Sequence, residues 1–172
     1  MIEIEVSRES AKALEEQLQA LSGDKVHAAI SRAAKRAATH AKTIGTKHVR
    51  KTYTIDAASI KSATSIRTVE DGAVLKIAGP RKSAGHYKAK KRKGGVFVSI
   101  KKGSGDIVPR SFAYSNTFFK RSSKSRLPIE RIFGPAVPQL FGNDAIKNEI
   151  AESAMKKYEE RIRHEVGRLM GG

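Results

Sequence analysis

Residues 24–51, DKVHAAISRAAKRAATHAKTIGTKHVRK, constrain this chain more than any other stretch. Val26, Ile30, Ala33, Ala37, Ala41, Ile44 and His48 recur at spacings of three and four. That spacing places them on one face of an α-helix. The face is mostly Ala, so a partner surface can approach it more closely than it could a Leu face. Asp24 is placed to cap the start, its side-chain oxygen accepting from an early backbone N–H. At 1.5 Å per residue the helix is about 40 Å long. Gly45 is its weak point, where it shortens or bends. A sheet laid against this helix is the expectation, because short strand and loop patterns follow until a second helical pattern closes the chain.

The 172 residues read as a single domain, 1–172. A chain of this length buries about two-thirds of its unfolded surface. Its hydrophobic fraction, 39%, excludes a wholly disordered chain. With no Cys, disulfides and thiolate zinc sites are excluded. No apolar run approaches the ~18 residues of a membrane span, so no membrane partner is expected. The opening MIEIEVSRES carries acids where a signal peptide carries bases, and use without export is the expectation.

Charge is the strongest global signal. Thirty-four bases against seventeen acids give +17, a balance that points to polyanion partners, nucleic acid first among them. Solubility or acidic protein partners would also account for it. Between Gly72 and Ile129 there are fifteen Lys or Arg and one acid, Asp106. Between Lys25 and Ile55 there are eight bases and no acid. The compensating acids sit in the C-terminal helix, so a basic side and a mixed side are expected.

Taken in order, Ile2–Val6 alternates apolar and acidic residues and reads as a strand. Ser7 caps a helix expected to run to about Leu21. After the long helix, Asp56 caps a short turn through Ile60. Ser62–Val69 and Ala73–Ala78 read as strands joined by Glu70-Asp71-Gly72, a hairpin signal. Residues 81–95, RKSAGHYKAKKRKGG, read as a flexible loop carrying seven bases and no acid. Val96–Ile100 reads as a strand, Gly103–Asp106 as a turn, and 107–119 as one further strand with Phe112, Tyr114, Asn116 and Phe118 at period two. In 126–141, RLPIERIFGPAVPQLF, three prolines within eleven positions forbid a continuous helix or an inner strand. This apolar segment must pack as a shaped loop, either on its own core or on a neighbouring subunit. Asn143 caps a last helix over 144–169, with Ile146, Ile150, Ala154, Tyr158, Ile162, Val166 and Leu169 as its stripe. The fold class is therefore α+β: a long N-terminal helix on a small antiparallel sheet of four to five strands, with a C-terminal helix.

Catalytic groupings are absent. The five His show no paired metal spacing, and there is no nucleophile motif. Gly103-x-Gly105 lacks the Lys-Ser/Thr of a phosphate-binding loop. No enzyme activity, cofactor or metal is expected. The candidate ligand is a nucleic-acid backbone, met by Arg81, Lys82, Lys88, Lys90, Lys91, Arg92 and Lys93 without reading sequence. A solvated loop, or one ordered by a neighbour's acids, explains the same run equally well. His86 and Tyr87 are candidates to stack on a base. Lys120, Arg121, Lys124 and Arg126 form a second cluster, read first as a solvated turn.

One set of motifs resembles a known family. Gly94-Gly95-Val96 through Ile100-Lys101-Lys102-Gly103 comes first, followed by Phe112-Ala113, Phe118 to Arg121, Arg126-Leu127-Pro128-Ile129 and Gly134-Pro135. In this order they resemble the minor tail protein Z family of tailed phages and prophages. Arg50-x-x-Tyr53-x-Ile55 with Ile60, after a long helix, is similar too. The resemblance spans about residues 24–142. Ala136 stands where the family pattern has Ser, and the basic run is richer than usual. The resemblance implies a non-enzymatic tail-completion or head–tail joining protein of the virion tail, assembled in the host cytoplasm. It also implies a homo-oligomeric ring, often six-fold in related proteins, that meets other tail or connector proteins and has DNA in its lumen. Arg126, Leu127, Pro128, Ile129, Phe133 and Pro135 are then the candidate subunit interface. An intramolecular cover is the other reading of the same segment.

Overall fold

The structure, a computed structural model, describes residues 2–5, 23–69 and 72–170. The helix expected over 7–21, with its Ser7 cap, lies outside the described residues. The chain is α+β, and it gathers into two compact units where the sequence reads as one domain. The first comprises the chain to Gly45, Thr64–Ile77 and the chain from Asn143; the second comprises Thr46–Ala63 and Ala78–Gly142.

The long helix, α1, runs from Gly23 to Thr52 without breaking at Gly45. Asp24 lies inside its first turn, not at the cap position. There its charge complements the partial positive charge of the helix start. Val26, Ile30, Ala33, Ala37 and Ala41 are buried as the spacing predicts. Beyond Ala41 the stripe drifts: Gly45 and Val49 are buried, while Ile44 and His48 are half-buried. Steps of four overshoot a 3.6-residue turn by about 40°, so the buried line wanders around the helix.

In the first unit, β1 (Ile2–Glu5), β2 (Thr64–Val69) and β3 (Gly72–Ile77) form an antiparallel sheet in the order β1-β3-β2. The β2–β3 register runs from Thr64↔Ile77 to Val69↔Gly72. Its link, Glu70-Asp71, lies outside the described residues. Residues of α1 from Val26 to Ala38 pack with Ala73 of β3 and with Tyr158 and Ile162 of the C-terminal helix. That closing helix spans Asp144–Met170. Asn143 Oδ1 accepts from Ala145 N at 3.1 Å, as its capping role requires. Arg32 meets Glu165, and His40 meets Ser153. Rising numbers on α1 pair with falling ones on the closing helix, so the two run antiparallel.

Glu165 is 3% exposed and occupies the buried position that the stripe assigns to Val166, which is half-buried. A buried carboxylate needs partners. Arg32 Nε donates to it at 2.9 Å and Arg161 Nη2 at 3.4 Å, and Arg168 Nη1 lies 3.8 Å away. Burial pushes the Glu165 carboxyl up. The Arg32 hydrogen bond and the charges of Arg32, Arg168 and Arg161 outweigh it and hold the pKa below the ordinary carboxylate range.

The second unit is built from short pieces. The helix α2 (Ala57–Ala63) begins after Asp56, whose Oδ1 accepts from Ser59 N. Strands β5 (Lys88–Arg92), β6 (Gly95–Ser99) and β7 (Asp106–Val108) form one antiparallel sheet. Strands β8 (Ser111–Tyr114), β9 (Thr117–Arg121) and β10 (Ile129–Arg131) form another, and β4 (Arg81–Ser83) pairs with β11 (Phe133–Ala136). The helix α3 (Val137–Phe141) follows, and the closing helix is α4. Ala84, Val96 and Ile132 are the buried centre, with Ala89, Val98, Val108 and Phe118 against them. Among the described residues the sheets have two or three strands each, where a single sheet of four to five was expected.

Three segments depart from expectation. The run 81–95 is β4, a 3-10 turn at Ala84–His86 and β5, not a loop. Pairing with β6 supplies the backbone partners that offset the crowding of like charges. The run 107–119 is not one strand but the end of β7, the strand β8 and the start of β9, with a two-residue turn between β8 and β9 at Ser115 (φ 45°) and Asn116 (φ 59°). Two positive φ values are what a type I′ hairpin needs, and Asn tolerates one well. The run 126–141 is two short strands and a short helix. Pro138 sits in the first turn of α3, where its missing N–H leaves no bond unmade.

The Glu165 cluster predicts an acid-dependent stability. Its folded-state pKa is depressed, so its contribution is complete above the unfolded value of about 4.3 and is lost as pH falls through the folded value. Glu165→Gln is expected to lower stability by about 1–3 kcal/mol at neutral pH. Urea unfolding followed by helical circular dichroism should show that gap closing as the solution is acidified. An equal gap at every pH would remove the charge from the account.

Candidate nucleic-acid interface

The exposed strand β5 is the centre of the sequence-predicted basic surface. It lies at the edge of its sheet and pairs only with β6, Lys88↔Ser99 through Arg92↔Gly95. Side chains alternate along a strand, so Lys88, Lys90 and Arg92 share one face, roughly 7 Å apart. All three are exposed. Across the sheet on this face stand half-buried Phe97, opposite Lys90, and exposed Ile107, opposite Phe97. Lys91 lies on the other face and Lys93 in the turn, both exposed. Gly95 holds φ +151° at the start of β6, where a Cβ would come within 2.5 Å of Val108 O. Glycine there lets β7 close against β6, which fixes β5 as an outer strand.

Arg81 and Lys82 do not join this row. They lie on β4, and Lys82 is half-buried. Arg81 donates from Nε to Gly134 O at 3.2 Å and from Nη2 to Phe133 O at 3.4 Å, and its guanidinium sits 5.9 Å from the Phe133 ring centre. It holds β11 in place. Tyr87, a stacking candidate, is buried and donates its hydroxyl to Pro135 O at 2.7 Å. Burial pushes its pKa up to about 12, with the Asp56 charge adding to the effect. A Cβ on Gly134 would fall 2.5 Å from the Tyr87 ring. Gly134-Pro135 is therefore the floor under Tyr87.

His86, the other stacking candidate, is tied down as well. Its Nδ1 lies 2.8 Å from Asp56 Oδ2 and 2.9 Å from Ser59 Oγ. Serine and carboxylate share one ring nitrogen, whereas a Ser-His-Asp relay needs one on each. The cluster locks the start of α2 instead, and Asp56 N donates to His86 O at 3.0 Å. Burial pushes the Asp56 carboxyl up. Hydrogen bonds from Ser59 and His86, with the His86 charge, outweigh that and lower its pKa.

The candidate interface residues divide. Leu127 is 66% exposed, Ile129 43% and Phe133 44%. Arg126 and Pro128 are exposed beside them, while Pro135 is half-buried under Tyr87. Further along, Val137, Leu140 and Phe141 are buried. The second half of the segment covers the unit's own interior, and its first half leaves apolar side chains in solvent. In the second basic cluster, Lys120 pairs with Glu130 at 3.4 Å and Arg121 lies 4.9 Å from the Phe112 ring centre. Lys124 is exposed.

The sequence reading missed one concentration of cations. Arg32, Lys35 and Arg36 on α1 and Arg161 and Arg168 on α4 line one open groove in the first unit. Their spacing of three and four was legible, but each helix was read for its apolar face. Among the described residues no group of three or more His, Asp or Glu could hold a metal ion, and no described helix is long and apolar enough to cross a membrane. Comparison with family models, with curated proteins and with solved structures finds no match to this chain.

The Tyr87 contact predicts an alkaline limit for the second unit. Its folded-state pKa is raised, so its contribution is complete below the unfolded value of about 10 and is lost as pH rises through about 12. Tyr87→Phe keeps the ring over Gly134 and removes the hydroxyl. It is expected to cost about 0.5–1.5 kcal/mol at neutral pH. The variant should also lack the last step in an ultraviolet phenolate titration. A wild-type titration in which all Tyr ionise together near 10 would contradict the buried hydroxyl.

Proposed function

We propose that this chain is a structural, non-enzymatic subunit of a phage tail that acts in tail completion and head–tail joining. In this reading it forms a ring with copies of itself at the head-proximal end of the tail. It meets other tail or connector proteins there, and DNA passes it without sequence recognition. Assembly takes place in the host cytoplasm, and the virion tail is its final location. The observation that carries the reading is the exposed apolar run Leu127, Ile129 and Phe133, within the Leu-Pro-Ile and Gly-Pro motifs of the resemblance. Clustered apolar side chains in solvent mark surfaces that other proteins cover. Nucleic acid covers cationic surfaces and leaves such side chains unexplained.

A second reading, a basic nucleic-acid-binding module without a ring, draws support from β5. Three exposed bases on an edge strand suit phosphate contact as they stand. Oligomeric state separates the two readings, because a ring needs two different complementary patches on every subunit and a simple binder needs neither.

The test is electron microscopy of lysates from a phage deleted for this gene, complemented either with the wild type or with Leu127→Glu/Ile129→Glu. Both substituted side chains are exposed, so the fold should survive. The deletion is expected to leave unjoined heads and tails or joined, non-infectious particles. Wild type should restore infectious virions, and the double variant should leave titre at the level of the deletion. Normal infectious particles from the deletion would reject the tail reading. Light scattering that shows a monomer at every concentration would favour the binding module.

A further inference from the structure

We infer that the groove between α1 and α4 in the first unit binds the phosphates of a DNA duplex backbone. The groove has a volume of about 400 Å³. Arg32, Lys35 and Arg36 line it from α1, and Arg161 and Arg168 from α4. Thr39 extends the α1 wall by one more turn. Positions 32, 35, 36 and 39 share one face of a helix, as do 161, 165 and 168. Two cationic stripes therefore face one channel.

Glu165 is the one acid lining it among the described residues. It is buried and held by Arg32, Arg161 and Arg168 at 2.9, 3.4 and 3.8 Å. One carboxylate against five cations leaves the groove at a formal +4. The carboxylate cannot neutralise its surroundings, but it fixes where three guanidinium groups lie. The side chains of Arg32 and Arg168 remain 53% and 68% exposed, so donors not turned to Glu165 face solvent. Lys35 and Arg36 are exposed as well. Arg161 Nε is buried and meets no acceptor among the described residues. Cations preorganised by a buried acid, with donors still free, are a receptor for phosphate oxygens, which accept charge-assisted bonds from Arg.

The size and openness of the site favour a polymer over a small anion. From Arg32 to Thr39 the α1 wall spans about 10 Å at 1.5 Å per residue. Several exposed cations along that length match a backbone that carries one phosphate per nucleotide better than they match a single small anion. Free phosphate or tripolyphosphate shares the chemistry, and the experiment tells the two sources apart. The inference does not depend on the tail reading, since a binding module would use the groove in the same way.

The experiment measures binding of the full chain to a short duplex of random sequence by fluorescence anisotropy, between roughly 50 and 200 mM salt. Wild type is compared with Lys35→Gln/Arg36→Gln and with Glu165→Gln. The double variant removes two exposed charges and leaves the Glu165 cluster in place. It is expected to bind more weakly, with the slope of log K against log salt reduced by about 1.8, or about 0.9 per lost contact. Glu165→Gln releases the three guanidinium groups that the carboxylate fixes and is expected to weaken binding while circular dichroism shows the fold intact. An unchanged slope in the double variant would overturn the inference, as would failure of the wild type to bind at low salt. Phosphorus NMR of tripolyphosphate supplies the remaining arm. Line broadening by wild type that the double variant abolishes, with duplex binding unaltered, would assign the groove to free phosphates and overturn the duplex.

Discussion

The first unit depends on the closeness that alanine allows. Ala33, Ala34, Ala37 and Ala38 present almost no side chain to what lies against α1. The bulk at that contact comes from the other side, as Tyr158 and Ile162 of α4, and Tyr158 is 2% exposed. A flat, small face against a large residue packs densely without voids, as core side chains must. The same closeness brings the flanks of the two helices within ion-pair reach. Arg32 can meet Glu165 only because the alanines between them take so little room. Hydrophobic packing thus sets the geometry, and electrostatics follows from it. A bulkier residue at Ala33 or Ala37 would separate the flanks and take Arg32 away from Glu165.

In the second unit a different constraint plays the same part. Strands of three to five residues bury little area each, so they are held by specific contacts. Tyr87 lies on Gly134 and donates to Pro135 O, and Arg81 binds the carbonyls of Gly134 and Phe133 from the neighbouring strand. Gly-Pro is therefore a structural requirement of the β4–β11 pair. One glycine admits the ring, and one proline carbonyl satisfies its hydroxyl. The basic residue nearest this pair, Arg81, serves the fold and is lost to any ligand. Composition alone could not have made that division, because a Lys or Arg count does not say which cations already have partners.

Long periodic elements were legible in the sequence because their signal repeats. The extents of α1 and α4, the Asn143 cap and the β2–β3 pairing all follow from spacing and end residues. What was not legible rests on single residues or on tertiary context. The hairpin at Ser115–Asn116 was hidden by the period-two pattern of Phe112, Tyr114, Asn116 and Phe118, which runs unbroken through the turn. The strand nature of Lys88–Arg92 was hidden by charge, since no propensity favours a KAKKR strand; β6 imposes it. Glu165 was the least visible of all. An acid on a helix amid bases looks solvated, and only the approach of α1 buries it. The basic groove was missed for the same reason, because it exists only where two helices meet.

A net charge of +17 opposes compaction through self-repulsion. This chain contains that repulsion in two ways. Some cations are absorbed within the fold, as Arg81 is by carbonyls and Arg121 by the Phe112 ring. Others stand exposed on β5 and along the α1–α4 groove, where a polyanion would relieve them. Any ligand that binds only the folded chain adds its binding free energy to stability. Basic surfaces would account for the proposed DNA partner but not for Leu127, Ile129 and Phe133. These lie in a segment whose second half buries Val137, Leu140 and Phe141, so the unit had apolar interior to offer and left these three outside it. A chain that needed only to hold DNA would have no use for them. A subunit that must also hold its neighbours would.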